Sequence, residues 1–169
     1  MSNKTLIQRL KASKPQVEEI ISEYISAENV KKAVLDFVAW LSTNKMPPAW
    51  LDIGEQNALA WIVEHKGKKL FIVWGGKDVI NFMIQGVLTD EHQMFIIENN
   101  LQNIVLDNLC YCSRKDGEHC TGCDFPPDVA GISLILLEKE VENFCCGQMV
   151  SFNNPNSETI EGIKKLLDF

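Results

Sequence analysis

Three short apolar runs separated by glycine-containing turns are the feature that most constrains the fold of this chain. The runs are ALAWIVEH at 58–65, KLFIVW at 69–74 and VINFMIQ at 79–85. Gly67 lies in the first turn, and Gly75 and Gly76 lie in the second. β-Branched and aromatic residues favour strands, and glycine turns bring each strand back alongside the one before it. Residues 58–86 therefore predict an antiparallel β-meander.

The first 45 residues show a helical period instead. Five residues recur with the spacing of one helix face: Val17, Ile20, Ile21, Tyr24 and Ile25. A second apolar stripe runs from 27 to 43, and Pro47 and Pro48 end it because proline cannot continue the hydrogen-bond ladder of a helix. We expect this helical lead-in, residues 1–45, to cover one face of the meander, since an apolar sheet face needs a covering layer.

The second half of the chain predicts shorter elements. Thr89 has the chemistry of an N-cap for a helix that runs toward Leu106 with a break near 99–100. The apolar run 132–137 is compatible with a strand or a helix, and 147–152 is compatible with a strand. A last helix is predicted at 155–168. Its inward-facing residues are expected to be Ile160, Ile163, Leu166 and Leu167.

These patterns predict a single α+β domain spanning residues 1–169. Its antiparallel sheet has about four to six strands and is packed by N-terminal and C-terminal helices. The chain is 169 residues long and 46% hydrophobic, which is enough to bury a core without disulfides. No internal repeat and no long linker suggests a second domain.

Charge and targeting signals limit the partners. The formal net charge is -7, and Arg9 and Arg114 are the only arginines, so the chain lacks the basic surface that nucleic-acid binding needs. The N-terminus lacks the apolar core of a signal peptide, and no apolar run has the length of a membrane span. We therefore predict a cytoplasmic protein with no membrane association, in which thiols stay reduced.

Four of the six cysteines form the pattern C-x-C-x7-C-x2-C within a cysteine-rich loop at 110–126. Zinc prefers four ligands in a tetrahedron, and a C-x2-C knuckle brings two thiolates to one ion. We expect Cys112, Cys120 and Cys123 to bind zinc, with Cys146 from a distant segment as the fourth ligand. Cys110 is the main alternative to one of these residues, and His119 is a second. Four thiolates would form a closed structural site with no position for water.

Other interpretations of these residues stay open. Cys120 and Cys123 have the C-x-x-C spacing of a redox pair, and Cys145 is more simply a partly buried core cysteine. An acidic run formed by Glu138, Glu140 and Glu142 is typical of a solvated face. Trp61 and Trp74, with Asn81, would line an apolar pocket if they paired across a hairpin, although core packing explains both rings more simply.

No phosphate-binding glycine loop, H-E-x-x-H or G-x-S-x-G motif is present. The sequence therefore favours a non-enzymatic protein with no predicted catalytic residue. Its partner is not specified. A second copy of the chain, an unidentified protein and a small molecule are all compatible with the sequence.

Several motifs together resemble a known group. These are the strand Ala60–Val63 followed by Lys66-Gly67-Lys68, the C-x-x-C loop, Cys146, and the segment FNNPNSE at 152–158. They resemble small uncharacterised bacterial proteins with a cysteine-rich loop and an F-x-N-P-x-x-E helix start. That resemblance implies no known activity, but it implies that Cys120 and Cys123 pair with Cys146 rather than with Cys145. More distantly, the layout is similar to YdhG-like α+β domains, some of which are described as frataxin-like iron chaperones.

The sequence thus predicts a cytoplasmic protein with a cysteine-ligated structural zinc ion. One alternative is a thiol-based redox sensor or enzyme that uses Cys120 and Cys123. The other is a metal chaperone that carries iron, as the more distant resemblance implies.

Overall fold

The computed structural model describes residues 3–112, 132–145 and 148–169. The chain forms two compact units, Met1–Met83 with Phe152–Asp168, and Ile84–Ser151 with Phe169. The architecture is α+β, with six helices and seven strands among the described residues. This confirms the predicted fold class, whereas the single-domain organisation stays a prediction.

Four helices belong to the first unit. They are α1 Asn3–Ser13, α2 Val17–Tyr24, α3 Glu28–Thr43 and α6 Ser157–Asp168. The predicted apolar stripes of α2 and α3 are buried apart from Tyr24, which is half-buried, and this confirms both helices. Helix α1 was not predicted as a separate element, because it carries only one fully buried apolar residue, Ile7, and thus lacks a clear stripe.

The meander forms as predicted and continues into a larger sheet. Its strands are β1 Ala49–Leu51, β2 Leu59–His65, β3 Lys68–Gly76, β4 Val79–Gln85 and β7 Met149–Asn153. They pair in the order β1-β2-β3-β4-β7, with β1, β2 and β3 antiparallel. Strand β1 was not predicted, because three residues after two prolines give no periodic signal.

One face of the meander carries the core, and the helical lead-in covers it. Cross-strand partners share a face, and Trp61 lies opposite Ile72 while Leu59 lies opposite Trp74. The Trp74 ring packs on Tyr24 of α2 at 5.2 Å between centroids. On β4, the Phe82 ring packs on a phenylalanine of α3 at 5.3 Å. The predicted covering layer is therefore confirmed.

The two buried tryptophans, Trp61 and Trp74, pack in the hydrophobic core. Trp61 and Trp74 are almost completely buried and are not direct cross-strand partners. Trp61 makes an edge-on contact with Trp50, and its indole N–H donates to the Pro15 carbonyl at 3.1 Å. Core packing therefore accounts for both rings, as the simpler interpretation predicted.

Helix α6 begins where the sequence predicts. The Asn156 side-chain oxygen accepts a hydrogen bond from the Thr159 amide at 2.9 Å, which satisfies a donor that the first helical turn leaves free. The four residues expected to face inward are all buried: Ile160, Ile163, Leu166 and Leu167. Among residues 3–112, 132–145 and 148–169, no helix is long and apolar enough to cross a membrane.

The second unit contains two short helices and a β-hairpin. They are α4 Asp90–Glu98, α5 Gln102–Leu106, β5 Ile132–Leu136 and β6 Lys139–Phe144. Thr89 caps α4 by accepting from the His92 amide, and Asn100, with φ of 56°, separates the two helices. The ambiguous apolar run is strand β5. Strand β6 was not predicted because its acidic residues suggested a solvated face; they are indeed exposed, but on a strand.

The β5–β6 hairpin turns through two residues that lack a glycine. Leu136 pairs with Lys139, so Leu137 and Glu138 form the loop, and both have positive φ (52° and 64°). Two-residue hairpin loops favour this backbone, but side chains with a Cβ adopt it at a cost. The turn therefore holds local strain at an exposed position, Glu138.

Glu138→Gly is expected to raise the free energy of unfolding by about 1 kcal/mol, because glycine adopts positive φ without the Cβ clash. The midpoint of urea denaturation, followed by circular dichroism, measures the change. Glu140→Gly is the matched control, since Glu140 is also exposed but lies in the extended backbone of β6, where glycine destabilises. Equal destabilisation by both substitutions would show that the turn is not strained.

Candidate thiol site

A short extended segment carries the first two cysteines of the C-x-C-x7-C-x2-C pattern. Residues 108–112 run antiparallel to β7, with Leu109 opposite Val150. The Cys110 amide donates to the Met149 carbonyl at 3.0 Å, and the Ser151 amide donates to the Asn108 carbonyl at 2.7 Å. These hydrogen bonds fix the position of Cys110 beside β7.

The same segment also pairs with the end of β6, where Tyr111 lies opposite Phe144. The Cys112 amide donates to the Asn143 carbonyl at 2.7 Å, and the Cys145 amide donates to the Cys110 carbonyl at 2.9 Å. We call residues 108–112, 143–145 and 149–151 the cysteine ribbon. The ribbon brings cysteines that are distant in the sequence onto neighbouring backbone.

A β-bulge in β6 makes this pairing possible. Ile132 pairs with Phe144 and Leu134 pairs with Val141, so two residues of β6 lie opposite one residue of β5. Asn143, one of the two, has φ of 54°, a conformation that asparagine tolerates better than most residues. A bulge leaves an extra residue without a partner in its own hairpin. The Asn143 carbonyl is thus available to accept the Cys112 amide.

The three cysteines of the ribbon are free thiols, and each is half-buried. Burial raises the pKa of the Cys110 thiol, and negative charge on Cys145 raises that pKa further. A hydrogen bond with the Ser151 hydroxyl acts in the opposite direction and lowers it. The Cys110 thiol therefore lies within electrostatic reach of Cys145 and within hydrogen-bonding reach of Ser151.

The predicted zinc ligands fall partly within the described chain. Cys112 lies in the cysteine ribbon, as does its alternative Cys110. Three predicted ligands, together with the alternative His119, lie outside the described residues: Cys120, Cys123 and Cys146. Within 3–112, 132–145 and 148–169, no three histidine, cysteine or carboxylate side chains are grouped to hold a metal ion. The four-cysteine site stays a prediction.

The structure adds two residues to the site that the sequence did not select. Cys145 was interpreted as a partly buried core cysteine; it is half-buried, and its amide also donates a hydrogen bond to the Cys110 carbonyl. Ser151 was not considered, and its hydroxyl interacts with the Cys110 thiol. No local sequence pattern predicts either role, because each depends on the pairing of segments that are distant in the sequence. The alternation of buried Val150 and Phe152 around Ser151 was the one available hint.

No protein-family model, no curated protein and no solved structure matches this chain. The resemblance to cysteine-rich bacterial proteins and to frataxin-like domains therefore stays a prediction. Any function has to be inferred from the residues themselves.

Proposed function

We propose that this chain binds one zinc ion through cysteine thiolates and that the ion has a structural role. The proposed ligands are Cys112, Cys120, Cys123 and Cys146. The observation that supports the proposal is the cysteine ribbon. Its backbone hydrogen bonds hold Cys112 against the end of β6, and Cys145 there immediately precedes Cys146 in the sequence.

The proposed ion would join two segments of the ribbon that are distant in the sequence. A metal stabilises a fold most when it joins segments that the chain alone brings together at an entropic cost. Cys112 stands at the start of the cysteine-rich loop, and β6 lies beyond it. An ion shared by these segments would supplement the two backbone hydrogen bonds that join them.

The donor chemistry favours zinc and a structural role. Thiolates are soft ligands that select zinc over magnesium, calcium or manganese. Four thiolates fill a tetrahedral site, so no position is left for a reactive water. The proposed function is therefore non-enzymatic. A partner, whether protein, small molecule or second copy, stays a prediction.

Elemental analysis of the full chain tests the proposal, with protein purified under reducing conditions and without chelator. We expect about one zinc per chain in the wild type. Cys112→Ser, Cys120→Ser and Cys146→Ser are each expected to lose most of it. Cys145→Ser is the matched control, because Cys145 is adjacent to a proposed ligand but is not one itself, and it should keep the zinc.

Each alternative gives a different result in the same experiment. Loss of zinc in Cys110→Ser but not in Cys112→Ser would reassign the first ligand. Iron that exchanges readily and survives every cysteine substitution would support the chaperone. A wild type without metal, with a reversible disulfide between Cys120 and Cys123, would support the redox sensor and contradict the zinc proposal.

A further inference from the structure

We propose that Cys110 and Cys145 are a dithiol that a hydroperoxide oxidises to a disulfide across the cysteine ribbon. Neither residue belongs to the proposed zinc set, and the pair is different from the C-x-x-C pair. The inference does not depend on zinc binding. It uses only residues that the structure describes.

The register of the ribbon places the two cysteines directly opposite each other. Tyr111 pairs with Phe144, and the flanking hydrogen bond runs from the Cys145 amide to the Cys110 carbonyl. One step from the Tyr111–Phe144 pair, Cys110 is therefore opposite Cys145. The pair makes one of the two hydrogen bonds of a hydrogen-bonded antiparallel position, since the Cys110 amide donates to Met149 instead, and Cα atoms at such positions are about 5.5 Å apart. That separation lies inside the range of roughly 4.4–6.8 Å that disulfides span.

Opposite residues of an antiparallel pair also project to the same face. Cβ atoms of opposite residues are about 4.5–5.5 Å apart, and a disulfide needs about 3.5–4.5 Å. Hydrogen-bonded positions lie at the upper end of that Cβ range, so forming the bond takes a movement of about 1–2 Å.

The same register excludes Cys112 as a partner of Cys145. Cys112 lies opposite Asn143, to whose carbonyl its amide donates. It is thus diagonal to Cys145, and diagonal neighbours are about 7–8 Å apart, too far for a disulfide. Cys112 is left available to bind metal while Cys110 and Cys145 react with each other.

Accessibility also suits the reaction. Both Cys110 and Cys145 are half-buried free thiols, so neither residue is sealed inside the core. A fully buried pair would be shielded, whereas a fully exposed pair would not be held in register. The ribbon holds both backbones in place through hydrogen bonds.

The oxidant is a hydroperoxide, and the reaction is balanced in two steps. In the first, one thiol loses its proton and the thiolate attacks the peroxide; an S–O bond forms, the O–O bond breaks, and the leaving oxygen takes up that proton as an alcohol or water, which gives a sulfenic acid. In the second, the other cysteine attacks that sulfur, the S–S bond forms and the S–O bond breaks. The thiol proton leaves with the hydroxyl as water. The two thiols lose two electrons, and the peroxide gains them.

Disulfide mapping of the full chain tests the proposal. Reduced wild-type protein is treated with hydrogen peroxide, blocked with N-ethylmaleimide and digested with trypsin. Residues 78–114 and 140–164 are each a tryptic peptide with two cysteines. We expect these peptides to be cross-linked in most chains, with fragment ions that place the bond between Cys110 and Cys145. Dithiothreitol should reverse the cross-link.

Two double variants identify the partners. Cys112→Ser with Cys146→Ser leaves Cys110 and Cys145 as the only cysteines of these peptides, and we expect the cross-link to persist. It also removes two proposed zinc ligands, so a cross-link without zinc separates this inference from the proposed function. Cys110→Ser with Cys146→Ser is the matched control, which leaves Cys112 and Cys145 and should give only a trace of cross-link.

Equal cross-linking in the two variants would overturn the proposal. So would a wild type in which peroxide leaves both Cys110 and Cys145 open to maleimide. If the double variants do not fold, the fragment ions of the wild-type cross-link decide the question alone. A bond from Cys112, or to Cys146, would contradict the register described above.

Discussion

Removal of the proposed zinc ion from the wild-type chain is expected to lower its melting temperature by roughly 5–10 °C. A ligand present at about 100 times its dissociation constant stabilises the folded state by about 2.7 kcal/mol. In a chain of this size, each kcal/mol corresponds to about 2–4 °C. Calorimetry of the protein before and after chelation under reducing conditions measures the change. Addition of zinc should restore the original value.

The loss of stability after zinc removal should be concentrated in the cysteine ribbon. The amides of Cys112 and Cys145 donate to backbone carbonyls across it, and the proposed ion would hold the same segments together. Their hydrogen exchange should therefore accelerate after chelation. The amides of the β2–β3 pair, such as that of Ile72, are the internal control and should not change. If chelation changed neither the melting temperature nor the exchange pattern, the result would contradict a structural metal.

Trp61→Ala is expected to lower the free energy of unfolding by about 3–5 kcal/mol, the usual cost of removing a buried aromatic side chain. Trp61 is 1% exposed and packs edge-on against Trp50. Its indole also donates to the Pro15 carbonyl just before α2, so the substitution leaves that buried acceptor without its donor. Urea denaturation followed by circular dichroism gives the difference.

Trp50→Ala is the matched control for this substitution. Trp50 is the other ring of the edge-on pair, but it is only half-buried and lies on the short edge strand β1. Its removal deletes the same aromatic contact without opening a closed core, so the loss should be clearly smaller. If both substitutions cost the same, the ring contact rather than burial would account for the stability that Trp61 contributes.

Periodic patterns in the sequence predicted the elements that pack against a common core. The strands of the meander and the helices α2, α3 and α6 each bury a face of regularly spaced apolar residues. The spacing of these residues in the sequence therefore predicts whether the element is a strand or a helix. Strands β1 and β6 lack this signal. Strand β1 has only three residues, and β6 has buried residues at Val141 and Phe144, a spacing that a bulge produces and that simple alternation does not.

The candidate site was predictable in its chemistry and not in its arrangement. The spacing of the cysteines indicates thiolate chemistry, because few other roles need four thiols within a short stretch of sequence. The pairing of Cys110 with Cys145 depends on the positive φ of Asn143 and on contacts between segments that are distant in the sequence. No local pattern encodes such a register, so a single sequence gave Cys145 no role beyond the core.

X-ray absorption at the zinc edge tests the central claim most directly, since it counts the atoms bound to the ion. Four thiolates predict a single shell of four sulfur atoms at about 2.3 Å. Cys112→Ser should reduce the sulfur count or remove the metal altogether. A first shell of oxygen and nitrogen at about 2.0–2.2 Å, or full-length protein that retains no zinc under reducing conditions, would contradict a cysteine-ligated structural site.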